Sequence, residues 1–177
     1  MNKKQIPKNI IYAILIKSSL LRSQRYKGKF IDSILFTDYK KYSKVLKNKL
    51  QETANFLDMK FMELTPEEFL LDEIDNKGKK VEKTWIKEIN NSSKPVLLFL
   101  NNISGKKKNL EEKLKVFINF SSIDNYQINT PTVLVLFDKN FSDDLKFSTL
   151  IYSLKEFEEI NNQEESNYTK ALANQLS

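Results

Sequence analysis

The sequence predicts an α/β protein, a parallel sheet flanked by helices on both faces. Four short apolar runs stand at Ser33–Phe36, Lys60–Leu64, Val96–Leu100 and Thr132–Phe137. Stretches with helical periodicity lie between them, so strands and helices alternate. Strands joined through helices pair in parallel. The last two runs are continuous and rich in Val and Leu, the pattern of strands buried on both faces.

Taken in order, the chain divides into a basic and apolar extension (residues 1–29), an α/β domain (30–154) and an acidic polar tail (155–177). The start, Met-Asn-Lys-Lys followed by Ile10–Ile16, imitates a signal peptide. Lys17 interrupts the apolar run and no small-residue cleavage site follows. It reads instead as an amphipathic helix or strand that docks on the body or on a partner. After the first strand, Lys41–Leu57 places Val45, Leu46, Leu50, Ala54 and Leu57 near one helical face. Thr65-Pro66 supplies an N-cap and a proline at the first helical position, predicting a helix over Glu67–Ile74. Val81, Trp85 and Ile89 recur at i, i+4, i+8, predicting a helix over Val81–Asn90 with Trp85 in the core. Leu110, Leu114, Phe117 and Ile118 mark a further helix to Phe120. Lys106-Lys107-Lys108 after Gly105 reads as a solvated turn. No fifth strand or helical lid is legible after Leu154.

Composition closes off several chemistries. With no cysteine and no histidine among 177 residues, disulfides, thiolate metal sites, Ser-His-Asp triads and imidazole acid–base catalysis are excluded. No metal ligand set and no cofactor are expected. Lysine outnumbers arginine 27 to 2 and the net charge is +6. Residues 1–60 carry fourteen Lys/Arg against four Asp/Glu, while the tail from Lys155 carries five Glu against two Lys. A basic half of this kind meets nucleic acid, acidic lipid or acidic protein, or is simply a lysine-rich surface. The composition suggests an AT-rich genome. No segment is long enough to span a membrane, and the cytoplasm or an organelle interior is the expected compartment.

One stretch stands out. The strand Ile34-Leu35-Phe36-Thr37 runs into Asp38-Tyr39-Lys40-Lys41-Tyr42-Ser43-Lys44-Val45 and then a helix. This is the setting of a phosphate-binding loop, yet the loop holds no glycine. Such a loop needs glycines so that backbone N–H groups converge on phosphate without a Cβ in the way. The three glycines of the chain are Gly28, Gly78 and Gly105.

The order of elements over residues 30–150 resembles the core of the AAA ATPases, the clade of membrane-anchored AAA proteases, katanin-like enzymes and proteasomal ATPases. The resemblance implies a P-loop NTPase core with its motifs altered. Lys44 matches the phosphate-binding lysine, and Val45 stands where a hydroxyl would hold Mg²⁺. Asp38 would repel a phosphate. Leu97-Leu98-Phe99-Leu100-Asn101-Asn102-Ile103-Ser104 matches the Walker B strand, with Asn101 and Asn102 in place of its acids. An amide is no base and ligates Mg²⁺ poorly. Asn140 matches the asparagine after the sensor strand. The arginines Arg22 and Arg25 both lie upstream, so no arginine finger stands at the family's positions. The family's aromatic-glycine pore loop is not legible near Asp75-Asn76-Lys77-Gly78-Lys79-Lys80.

The resemblance therefore implies a non-catalytic AAA-like subunit acting through protein partners in a larger assembly, with Arg22, Arg25 and Tyr26 as candidate interface residues. Two alternatives stand beside it. One is a basic nucleic-acid-binding accessory domain, like a clamp loader's, with Tyr26, Tyr39 and Tyr42 available for stacking. The other is nucleotide binding without hydrolysis through Lys44 and Asn140. Asp38, Glu63 and Asp138 lie near strand ends, where α/β sites form, but carboxylates there also serve as ordinary caps.

Overall fold

The computed structural model describes residues 10–25, 30–37, 43–101, 107–138, 150–153 and 174–176. Its elements run α1 (Ile10–Arg25), β1 (Ile31–Thr37), α2 (Ser43–Phe56), β2 (Lys60–Leu64), α3 (Pro66–Leu70), β3 (Glu73–Ile74), β4 (Lys80–Val81), α4 (Thr84–Asn90), β5 (Val96–Leu100), α5 (Lys107–Phe120), β6 (Ser122–Ile123), β7 (Tyr126–Gln127), β8 (Thr132–Asp138) and β9 (Leu150–Ser153). The main sheet has five strands in the order β2-β5-β8-β1-β9. All of its pairings are parallel.

The central strands alternate between two cores. Leu97, Phe99, Val133, Val135, Phe137, Ile34 and Phe36 face one side, where α1 and α2 pack through Tyr12, Ile16, Leu20, Leu46, Leu50 and Ala54. Leu98, Leu100, Leu134, Leu136 and Leu35 face the other, against Phe69, Trp85, Ile86, Ile89, Leu110, Leu114 and Phe117. Topology explains the split. From β1 the chain travels across the sheet to β2, then returns through β5 and β8. Right-handed crossovers in opposite directions must cover opposite faces.

The N-terminal apolar run is a helix packed on the body. Its apolar residues Tyr12, Leu15, Ile16 and Leu20 follow the helical period. Ser19 Oγ and Arg22 Nε both donate to the Asp32 carboxylate, the latter at 3.2 Å, tying α1 to the start of β1. Leu176, near the C-terminus, packs against Ile10, Ala13 and Phe56. Among the described residues no helix is long and apolar enough to cross a membrane.

Several expected boundaries are corrected. The helix expected over Glu67–Ile74 ends at Leu70, because Leu71 turns extended (φ −63°, ψ 123°). Its start is as expected: Thr65 and Glu68 form a reciprocal capping box. Glu73–Ile74 instead pairs antiparallel with Lys80–Val81. The turn between them is set by Asp75 Oδ1, which accepts from the N–H of Lys77 and Lys79, and by Gly78 at φ +76°. Val81 therefore lies in β4, and the next helix begins only at Thr84. Lys107 and Lys108 open α5 rather than sitting in a turn, while Gly105 and Lys106 lie outside the described residues. The four expected strands are present, and β9 is a fifth, immediately before Leu154.

Candidate functional site

The sheet reverses its direction of winding at β1, which lies between β8 and β9. In open α/β sheets ligands bind outside the carboxyl ends of the strands at such a point. Register brings Thr37 beside both Asp138 and Ser153 there. Asn101 follows the last residue of β5, whose Leu100 is aligned with Leu136. The chain joins Thr37 to the start of α2 through residues 38–42, so the α2 N-terminus belongs to the same edge. No acidic side chain stands in the first turn of α2.

The structure places the sequence candidates unevenly. Lys44 and Val45 lie in the first turn of α2, and the Val45 side chain is 39% exposed. Asn101 is half-buried, and its Oδ1 is enclosed without a hydrogen-bond partner among the described residues. Asp38, Asn102, Asn140 and Tyr26 lie outside the described residues. Arg25 ends α1. Arg22 is engaged within the molecule: its Nη2 lies 3.2 Å from Asp32 Oδ2, in addition to the Nε bond. Trp85 is buried, stacked on Phe69 and edge-on to Phe117, as its spacing implied.

Chemically, this edge offers a helix N-terminus with Lys44 and, at the end of β5, an amide. An amide oxygen accepts hydrogen bonds but takes no proton at neutral pH, so Asn101 supplies no base. Among the described residues no group of three or more carboxylates forms a metal site.

A second polar centre has no counterpart in the sequence reading. A cavity of about 290 Å³ is lined by Asp72, Glu73, Lys80, Val81, Lys83, Asp124, Asn125 and Tyr126. The Lys83 side chain is only 2% exposed. Its ammonium donates to the carbonyls of Phe69 (3.2 Å) and Leu71 (2.6 Å). Asp72 and Asp124 lie 3.8 and 4.0 Å from it, and Lys113 lies 3.9 and 3.7 Å from the same carboxyls. Burial, then the nearby Lys113 charge, lowers the Lys83 pKa, and the two carboxylates oppose that. Hydrogen bonding from Lys80 holds Asp72 below the ordinary carboxylate value. The Thr84 N–H and hydroxyl do the same to Glu73. The charges of Asp72, Asp124, Lys80, Lys83 and Lys113 answer one another, so the cluster ties α3, the β3–β4 hairpin, α5 and the β6–β7 turn together. Its only sequence signal is a lysine ahead of Thr84-Trp85, which by itself names nothing.

No protein-family model matches the chain, and no curated protein matches it. Solved structures do resemble it distantly. The RuvB Holliday junction branch migration motor of Thermotoga maritima is 20% identical with a TM-score of 0.47, over 86% of this chain and 49% of RuvB. Rif2 of Saccharomyces cerevisiae is 11% identical with a TM-score of 0.42, over 95% of this chain and 70% of Rif2. The Orc1 protein of Aeropyrum pernix, solved in complex with DNA, is 13% identical with a TM-score of 0.42, over 92% of this chain and 51% of Orc1. The chain spans about half the length of RuvB and Orc1. The fold is an α/β parallel sheet with helices on both faces.

Proposed function

We propose that this chain is a non-hydrolysing AAA-like domain that works by protein contact, as a structural or accessory part of a larger assembly. One observation carries the reading. The carboxyl edge of the sheet keeps its strand ends and the α2 N-terminus, while the residues that would do phosphoryl chemistry there are gone. Asn101 and Asn102 stand where acids would hold Mg²⁺ and polarise water, and residues 38–43 include no glycine. Phosphoryl transfer is almost wholly positioning and electrostatics, so the absence of the metal acids, the loop glycines and the arginine finger together removes most of what accelerates it. The apolar residues of the central strands, Val96–Leu100, Val133–Phe137 and Ile34–Phe36, are buried. A fold preserved around a dismantled site fits a role in assembly.

Two measurements test this. Hydrolysis of Mg-ATP by the purified chain is expected at background, identical in Lys44→Ala. Turnover that disappears in Lys44→Ala refutes the reading. A thermal shift in millimolar nucleotide would place nucleotide binding back at the edge. Native purification is expected to recover stoichiometric protein partners. A lone monomer, or nuclease-sensitive nucleic acid bound with a steep salt dependence, would favour the nucleic-acid reading instead.

A further inference from the structure

We infer that the cavity between the β3–β4 hairpin and the β6–β7 turn holds a binding site for one water molecule, made by Lys83, Lys113, Asp72 and Asp124. The inference is independent of the protein-contact reading above. The four side chains form a ring in which ammonium and carboxylate alternate. Lys83 Nζ lies 3.8 Å from Asp72 Oδ1 and 4.0 Å from Asp124 Oδ2. Lys113 Nζ lies 3.9 Å from Asp72 Oδ1 and 3.7 Å from Asp124 Oδ1. Opposite charges in direct contact would close to ~2.7–2.9 Å. All four sides are longer than a hydrogen bond, and they are nearly equal. The middle of a square ring with such sides is about 2.7 Å from each corner, which is hydrogen-bond distance for an oxygen atom.

The ring is held open by what anchors its members. Lys83 is the N-cap residue of α4, and its side chain is only 2% exposed. It donates to the carbonyls of Phe69 at 3.2 Å and Leu71 at 2.6 Å. An ammonium has three protons, so two are placed by these bonds. The nitrogen cannot advance on a carboxylate without giving up a carbonyl. Asp72 is held from its other oxygen, Oδ2, by Lys80 at 3.1 Å. Asp124 stands in the β6–β7 turn at φ 49°. The third proton of Lys83 therefore has no acceptor within hydrogen-bond distance among the described residues. Buried donors are answered by protein or by water.

The charges select the occupant. An anion at the middle of the ring would face two carboxylates, and a cation two ammoniums. A hydroxyl group has one proton for two carboxylates. Water accepts from both lysines and donates to both aspartates, so every corner is answered. Polar contacts beyond ~3.5 Å are those that water bridges, and buried waters make about three such bonds. The cavity, about 290 Å³, has room for it. Seated there, one water joins the root of the hairpin to α4, α5 and the β6–β7 turn.

The test is a high-resolution crystal structure of the full chain, wild type and Lys113→Met, with solution NMR of both. Lys113 is 31% exposed, so the variant is expected to fold. In the wild type, water density is expected at ~2.7–3.2 Å from both ammoniums and one oxygen of each carboxylate. In solution the Lys83 ammonium protons should show a dipolar contact with water. Lys113→Met removes one donor and is expected to lose both signals. Direct contact of Lys113 with either aspartate, or an ion identified there by its anomalous signal, overturns the site. So does a Lys83 ammonium with no water contact in the wild type. Water at full occupancy in Lys113→Met also overturns it as a four-cornered site.

Discussion

The strand β5 and the excursion between α3 and α4 are held by opposite means. Every residue of β5 is buried, and its side chains feed both cores. From Leu71 to Lys80 almost nothing is buried, and order comes from a lysine, three carboxylates and a turn. Burial is insensitive to pH and is lost in large steps when a side chain is cut back. Polar anchoring is directional, is coupled to protonation, and fails group by group. The molecule therefore combines a rigid interior with a projecting segment whose order depends on a few bonds.

The largest effect expected is in the interior. Phe99→Ala should destabilise the fold by about 3–5 kcal/mol in chemical denaturation, because the ring lies fully buried on the α1–α2 side of β5. A loss below about 1 kcal/mol would mean the core repacks around the gap. Next comes Lys83→Ala, expected to cost about 2–3 kcal/mol by leaving two carbonyls and two carboxylates without their ammonium. Lys83→Met keeps the aliphatic volume and should cost less; equal losses would assign the residue's role to its ammonium alone.

Thr65→Ala removes one half of the capping box and should cost about 1 kcal/mol. The smallest effect is a pH dependence confined to the excursion. The folded pKa of Glu73 is depressed by the Thr84 bonds. Its contribution is present above the ordinary glutamate value of ~4.3 and is lost as pH falls through the folded value. Protection of the Thr84 amide, taken relative to its intrinsic exchange rate, should fall over that range, and Glu73→Gln should flatten the response. A Thr84 amide equally protected at every pH would show that the carboxylate contributes nothing there.

The contrast also marks how much of the molecule was legible in the sequence. Val96–Leu100 and Thr132–Phe137 announce themselves because full burial demands unbroken apolar residues. The N-cap at Thr65 and the burial of Trp85 could be read from the sequence; the reciprocal bond from Glu68 came with the structure. β9 could not, because a four-residue strand carries little period of its own and is defined by pairing with β1. Nor could β3 and β4, two residues each, whose pairing depends on Asp75, Gly78 and Lys83 rather than on any repeat. At the carboxyl edge, the position of Asn101 was legible from element order. The enclosure of its Oδ1 was not, since burial of one oxygen depends on what packs around it. The internal pairing of Arg22 was equally hidden, because Asp32 meets it only when α1 lies along β1.

The central place of β1 has a consequence for how the chain is made. β1 is synthesised about a hundred residues before β8, its first neighbour, and still longer before β9, so its pairings are of high contact order. At roughly 5–20 residues per second, that wait lasts on the order of 5–20 s. Meanwhile α1 and α2, made on either side of β1, can cover only the face that carries Ile34 and Phe36. The opposite face waits for α5, and both hydrogen-bonding edges stay open, a template for pairing with other chains. For this sheet, the interval of greatest exposure to aggregation falls between the appearance of its first strand and the arrival of the two that flank it.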